Sequence, residues 1–99
     1  MEENSCTLTG VIASLEAVRH TPAGVPRQRF WLEHRSRQQE NGEPREVQAR
    51  LAVIVTGGTA QALNEGQRVK VTGFLSRAGY RGEARDRMQL HATRIDCLD

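Results

Sequence analysis

Apolar residues recur at every second position along most of the chain, the period of a half-buried strand, and only one short segment reads as helical. The first run, Cys6 to Arg19, carries Leu8, Gly10 and Ile12 in one parity, then Val11, Ala13, Leu15 and Ala17 in the other. The change of parity at Gly10 predicts a bulge, which lets one long strand bend between two sheets. His20 to Pro26 is a turn. The second strand, Arg27 to Arg37, sets Gln28, Phe30, Leu32 and His34 on one face against Arg27, Arg29, Trp31, Glu33, Arg35 and Arg37 on the other. A polar tip from Gln38 to Pro44 contains Asn41-Gly42, a hairpin signal. The third strand, Glu46 to Val55, alternates Val47, Ala49, Leu51, Val53 and Val55 with Glu46, Gln48, Arg50, Ala52 and Ile54.

Gly57-Gly58 breaks this pattern, and Thr59 to Asn64 predicts a short helix with Thr59 as its cap. The fourth strand, Gln67 to Arg77, directs Val69, Val71, Gly73 and Leu75 inward. After a loop from Ala78 to Asp86, the fifth strand, Arg87 to Ile95, directs Met88, Leu90 and Ala92 inward. Five strands, a bulge in the first and a short helix between the third and fourth predict an all-β fold, a five-stranded antiparallel barrel of the OB-fold type. An SH3-like barrel is the alternative, disfavoured by the helix position. At 99 residues there is room for one core, so residues 1–99 are expected to form a single domain.

Composition narrows the class. Hydrophobic residues make up 37% and charged residues 26%, as in a globular domain rather than a disordered chain. No apolar run approaches the ~18 residues of a membrane span, and the start is acidic where a signal peptide would be basic then apolar, so a cytoplasmic location with no membrane contact is expected. Cys6 and Cys97 have no metal-ligand spacing and read as small apolar residues. No nucleophile with its base, carboxylate pair, metal cluster or phosphate loop is found, so neither an enzyme nor a cofactor is expected. His34 shares the parity of Phe30 and Leu32 and reads as a half-buried, hydrogen-bonded histidine.

The charge matters through its distribution. The formal net charge is only +2, yet all 14 bases lie between Arg19 and Arg94, while five of the 12 acids (Glu2, Glu3, Glu16, Asp96 and Asp99) lie outside that span. Thirteen of the bases are arginine, whose planar cation forks onto two phosphate oxygens. On the second strand the only Trp sits among arginines, the combination that neutralises a nucleic-acid backbone and stacks a base. A second cluster, Arg77, Tyr80, Arg81, Arg85 and Arg87, falls in and beside the last loop, one of those that OB-folds use to grip oligonucleotides. These two clusters make Arg29, Trp31, Arg35, Arg77, Tyr80, Arg81, Arg85 and Arg87 the candidate site for single-stranded nucleic acid. The alternative for Trp31 is a subunit contact. The hairpin tip, with Glu40, Glu43 and Glu46 against Arg45, would repel phosphate and suits a basic protein partner better.

Phe30 with Leu32-Glu33-His34-Arg35-Ser36, Val53-Ile54-Val55 before Gly57, Gly66-x-Arg68-x-x-Val71-x-Gly73-Phe74, and Met88-x-Leu90-His91-Ala92 with Ile95 together resemble the primosomal replication protein N (PriB) family over nearly the whole chain. The resemblance implies an OB-fold homodimer that binds single-stranded DNA without sequence preference. It also implies an accessory of the replication-restart primosome that assists the PriA helicase and other primosome proteins at stalled forks. The family's basic DNA positions fall on Arg19, Arg35 and Arg87. Glu43 and Gln48 stand where family members carry aromatics and Trp31 where an aliphatic is expected, so stacking is expected to have moved to Trp31.

The alternative reading is a protein–protein adaptor of the primosome with weak DNA binding. A housekeeping single-stranded DNA-binding protein is disfavoured, because those carry a long Gly/Gln-rich tail and this chain runs only four residues past Ile95. The dimer is expected to pair the first strands around Thr7 to Ala13, covering an edge of the sheet.

Overall fold

The computed structural model describes residues 1–57, 62–79 and 87–98. Six strands are formed: β1 (Cys6–Leu15), β2 (Arg19–His20), β3 (Pro26–Glu40), β4 (Glu43–Thr56), β5 (Arg68–Arg77) and β6 (Met88–Cys97). They lie in the order β1-β5-β6-β4-β3-β2, and β1 also pairs with β3, so the five long strands close into an OB-fold barrel with β2 appended. One expectation is corrected, since β4 and β6 run parallel, Ala52 to Val55 against Gln89 to Ala92. The reason is arithmetic: an odd number of strands in a ring cannot alternate direction at every step, so one neighbouring pair must share it.

The core holds Ile12, Phe30, Leu32, Val53, Val55, Val69, Val71, Leu90 and Ile95, with Leu63 added from the irregular chain before β5. These are the alternating apolar positions of each strand, as the pattern requires. Three details differ from the sequence reading. Met88 is exposed rather than inward. The first strand ends at Leu15, and Arg19–His20 pairs with β3 as a separate short strand. Of the segment expected to be helical, residues 59–61 lie outside the described residues, Ala62 to Asn64 is irregular, and no α-helix occurs among the described residues. None of them therefore forms a helix long and apolar enough to cross a membrane.

The bulge exists but sits three residues later than expected. β1 pairs with β5 from Cys6 to Val11 and with β3 from Val11 to Leu15, and the register slips between Ile12 and Ser14. That slip moves the inward parity from Cys6, Leu8 and Ile12 to Leu15. The Asn64–Gln67 turn fastens it, because Gly66 N–H donates to the Ile12 carbonyl (2.7 Å) and Ile12 N–H to the Gln67 carbonyl (2.9 Å). Gly10 is needed for a different reason, since β1 crosses over β3 so closely there that a Cβ would run into the Glu33 carbonyl. Gly73 is equally crowded by the His91 carbonyl, beside the second register slip, between Thr72 and Gly73. The Asn4 side chain lengthens the β1–β5 ladder, accepting from Leu75 N–H (2.9 Å) and donating to the Leu75 carbonyl (2.8 Å).

The hairpin of β3 and β4 outruns the barrel. Its ladder is unbroken from Arg27↔Thr56 to Glu40↔Glu43, and the tip, Asn41 (φ 52°) and Gly42 (φ 80°), has the two left-handed residues of a type I′ turn. From Arg37 to Glu46 every residue is exposed, so this arm has no core of its own. Its ion pairs join Arg37 to Glu46 (2.7 Å) and Arg45 to Glu40 (2.8 Å).

Since backbone, not a movable side chain, blocks the added methyl at both crowded glycines, Gly73→Ala and Gly10→Ala should each lower stability by about 1–3 kcal/mol. Urea unfolding checks this, and midpoints within error of the parent would remove the crowding argument.

Candidate nucleic-acid interface

Alternation along β3 buries Gln28, Phe30 and Leu32 and turns Arg27, Arg29, Trp31, Glu33 and Arg35 outward, as expected. Trp31 is half-buried because arginine side chains cover it. The guanidinium of Arg29 lies 5.7 Å from the ring centroid and that of Arg50 lies 5.3 Å away, within cation–π range. Each cation is also ion-paired, Arg29 to Glu16 (2.6 Å) and Arg50 to Glu33 (2.8 Å). The indole thus stands between two ion-paired guanidinium groups.

Beside it lies an open cleft of about 300 Å³, walled by Glu16, Arg19, Arg27 and Arg29 on one side and Gln89 on the other. Ile54 lines its floor and is only 4% exposed, although it faces away from the barrel core. The arginine wall is fixed by backbone contacts. Glu16 N–H donates to the Arg29 carbonyl (2.9 Å), and the buried amide of Gln28 donates to the Glu16 carbonyl (3.0 Å), tying the link between β1 and β2 to β3.

Arg29, Ile54, His91 and Phe74 are consecutive partners across β3, β4, β6 and β5. Phe74 is exposed and stacks parallel on His91, with ring centroids 5.0 Å apart. Burial, and then the nearby charge of Arg27, hold the His91 pKa below the ordinary histidine value. Its Nε2 is 3.2 Å from the Gln89 amide nitrogen, which places an acceptor there and agrees with a neutral ring. His34 is half-buried and bonded at both nitrogens: Nδ1 donates to the Thr9 carbonyl (2.7 Å), and Nε2 meets Ser36 Oγ at 2.8 Å.

Of the candidate residues, Arg19, Arg29 and Trp31 come together on this face. Arg35 lies farther along β3, shared by a groove of about 380 Å³ with Glu33 and Arg50 and a smaller one with Thr9 and Arg68. Arg77 and Arg87 stand at the two ends of the last loop, whose base is closed by Arg77↔Met88 pairing and by Ala78 N–H donating to the Arg87 carbonyl (2.9 Å). Ala78 also lines the cleft, so the loop base adjoins the arginine wall. Tyr80, Arg81 and Arg85 lie outside the described residues.

Arg27 and Arg50 belong to this face although the sequence reading assigned neither to the site. The signal for Arg50 was present: a two-residue turn at Asn41-Gly42 forces Glu33 opposite Arg50 and Trp31 opposite Ala52. The Phe74–His91 stack had no such signal, because it depends on the register between β5 and β6. No group of His, Cys, Asp or Glu able to hold a metal occurs among the described residues.

Comparison with known proteins places this geometry in a family. The profile described as "another single-strand binding protein family" matches residues 4–94. Replication restart protein PriB of Photorhabdus laumondii is 36% identical over 104 residues, covering 100% of this chain and 97% of that protein. Among solved structures, PriB from Ralstonia solanacearum superposes with a TM-score of 0.85 at 22% identity, over 99% of this chain and 100% of the other. The N-terminal domain of PriB from Thermoanaerobacter tencongensis, described as dimeric, has a TM-score of 0.68 at 24% identity over 99% of both. With its barrel, its full-length match and its profile in agreement, the chain belongs to the single-strand binding protein family, among the PriB replication restart proteins.

Proposed function

We propose that this protein is a non-catalytic single-stranded DNA-binding accessory of replication restart. It works in the cytoplasm as a homodimer, assists the PriA helicase and helps assemble the primosome at stalled forks. The observation that carries the DNA-binding part is the outer face of β3, where Arg29 and Arg50 flank Trp31 and the arginine cleft opens beside it. Guanidinium groups supply sequence-independent attraction to phosphates and an indole supplies a stacking surface. The replication-restart role is supported by the name of the Photorhabdus relative. On binding, phosphates compete with Glu16 and Glu33 for the arginines, which uncovers the indole for a base.

The dimer reading is supported by the remaining edge of β1. From Val11 onward that edge is taken by β3, so the expected seam of Thr7 to Ala13 narrows to Thr7 to Gly10, where β5 is the only strand partner. A second copy would cover it. A protein-adaptor role for the β3–β4 arm is the second reading, favoured by its internal ion pairs, which leave Arg37 and Arg45 little charge for phosphate. Unwinding assays with the helicase, comparing the parent with a chain shortened at the arm, separate that role from DNA binding.

Titration of a poly-thymidine oligonucleotide at two salt concentrations tests the main reading: binding should weaken with salt for all sequences alike. Trp31 is the only Trp, so its fluorescence should be quenched, and Trp31→Ala should cost about 1–3 kcal/mol of binding. Unchanged fluorescence together with unchanged affinity would refute stacking. Glu33→Gln releases Arg50 from its carboxylate and should tighten binding by about 0.2–1 kcal/mol, the worth of an exposed ion pair. For the dimer, Thr7→Pro removes an edge N–H and should yield monomers in sedimentation at micromolar concentration. A parent protein that sediments as a monomer would sink the dimer reading.

A further inference from the structure

The short strand β2 has an unusual partner. Its pairing with β3 sets Arg19 directly opposite Arg27, so two like charges face each other across a ladder, an arrangement that normally destabilises a sheet. Nothing among the described residues neutralises them. Glu16, the carboxylate of the cleft, is engaged by Arg29, and no described residue forms an ion pair with Arg19 or Arg27. Yet the arrangement is held firmly, because the Gln28 amide and the Glu16 N–H fasten the approach to β2, and Thr21 N–H donates to the Val25 carbonyl (2.9 Å) on its far side. Arg19 and Arg27 line the same cleft, together with Ile54.

From this juxtaposition we infer that Arg19 and Arg27 form a clamp for one phosphate group, held between two cations that are brought together before any ligand arrives. The inference rests on the DNA-binding reading for its natural ligand, a backbone phosphate of single-stranded DNA, and gives that strand a fixed anchor beside Trp31. The chemistry is that of a single anion shared by two guanidinium forks, whose mutual repulsion it relieves. Free phosphate offers the same oxygens, so the two sources need separate measurements. Arg29 is not part of the clamp, because Glu16 holds its guanidinium before any strand arrives.

Inorganic pyrophosphate at low ionic strength tests the clamp, and a poly-thymidine oligonucleotide tests its natural ligand. Pyrophosphate should raise the melting temperature of the parent, and the rise should largely vanish in Arg27→Gln and in Arg19→Gln. Without ligand, either variant should melt at or above the parent temperature, since it removes repulsion, an outcome that a merely structural arginine would not give. Oligonucleotide affinity should fall several-fold in each variant with a salt slope smaller by roughly 0.7. The double variant should lose less than the sum of the two, because both cations hold one phosphate. Arg94→Gln, an arginine paired with Asp96, should change none of these. No pyrophosphate shift in the parent, an equal shift in the variants, or additive losses on DNA would overturn the clamp. If the pyrophosphate shift behaves as described while the parent binds no oligonucleotide, the clamp stands and the DNA-binding reading falls.

Discussion

The two left-handed residues Asn41 and Gly42 determine where every side chain of β3 and β4 lands. A two-residue turn leaves no freedom in pairing, so Glu40 must meet Glu43, and the ladder then runs without a slip to Arg27 and Thr56. A shift of one residue would turn Phe30 and Val53 out of the core and bring Trp31 and Ile54 into it. The same register sets Arg50 diagonally across from Trp31 and Arg29 opposite Ile54. Core and candidate site are therefore the two faces of one ladder, fixed by one turn.

Charge is handled differently along that ladder. On the distal arm, where both faces meet water, Arg37 sits opposite Glu46 and Arg45 reaches diagonally to Glu40, so both cations are ion-paired. Around Trp31 they still pair, but the cations also cover the indole. At the barrel end, where β2 joins β3, Arg19 and Arg27 face each other, and no ion pair to either occurs among the described residues. Surface ion pairs contribute little to folding, so this gradient bears less on stability than on where an anion is attracted.

Period-two alternation carried most of the fold, because a closed barrel buries one face of every strand and Phe30, Leu32, Val53, Val69, Val71 and Leu90 mark that face without ambiguity. It failed where the inward face is defined by closure rather than by parity. Gly10 attracted the bulge because glycine breaks a pattern, whereas the slip lies at Ala13, where β1 exchanges one partner for another. Ile54 looked like a solvent-facing position, yet the cleft side chains bury it. Arg29 and Trp31 were legible as a candidate site since charge and aromaticity coincide on one strand, whereas Arg19 entered through the family resemblance alone. Arg27 was legible as a base, but its meaning came from the residue opposite it, which no local pattern reports. The stack of Phe74 on His91 needed the third dimension altogether.

The order in which the chain can assemble follows from the division of β1 between two partners. The β3–β4 hairpin joins residues close in sequence and can form early from its own turn. Leu8, by contrast, must find Val71, and Val69 must find Cys97, before the barrel exists. Closing the ring is thus a non-local event that involves both ends of the chain, and such events are the slow ones in folding. During synthesis the Cys6 to Gly10 part of β1 waits for β5, with its apolar Leu8 uncovered, so the nascent chain is open to misassociation through β1 until β5 is released.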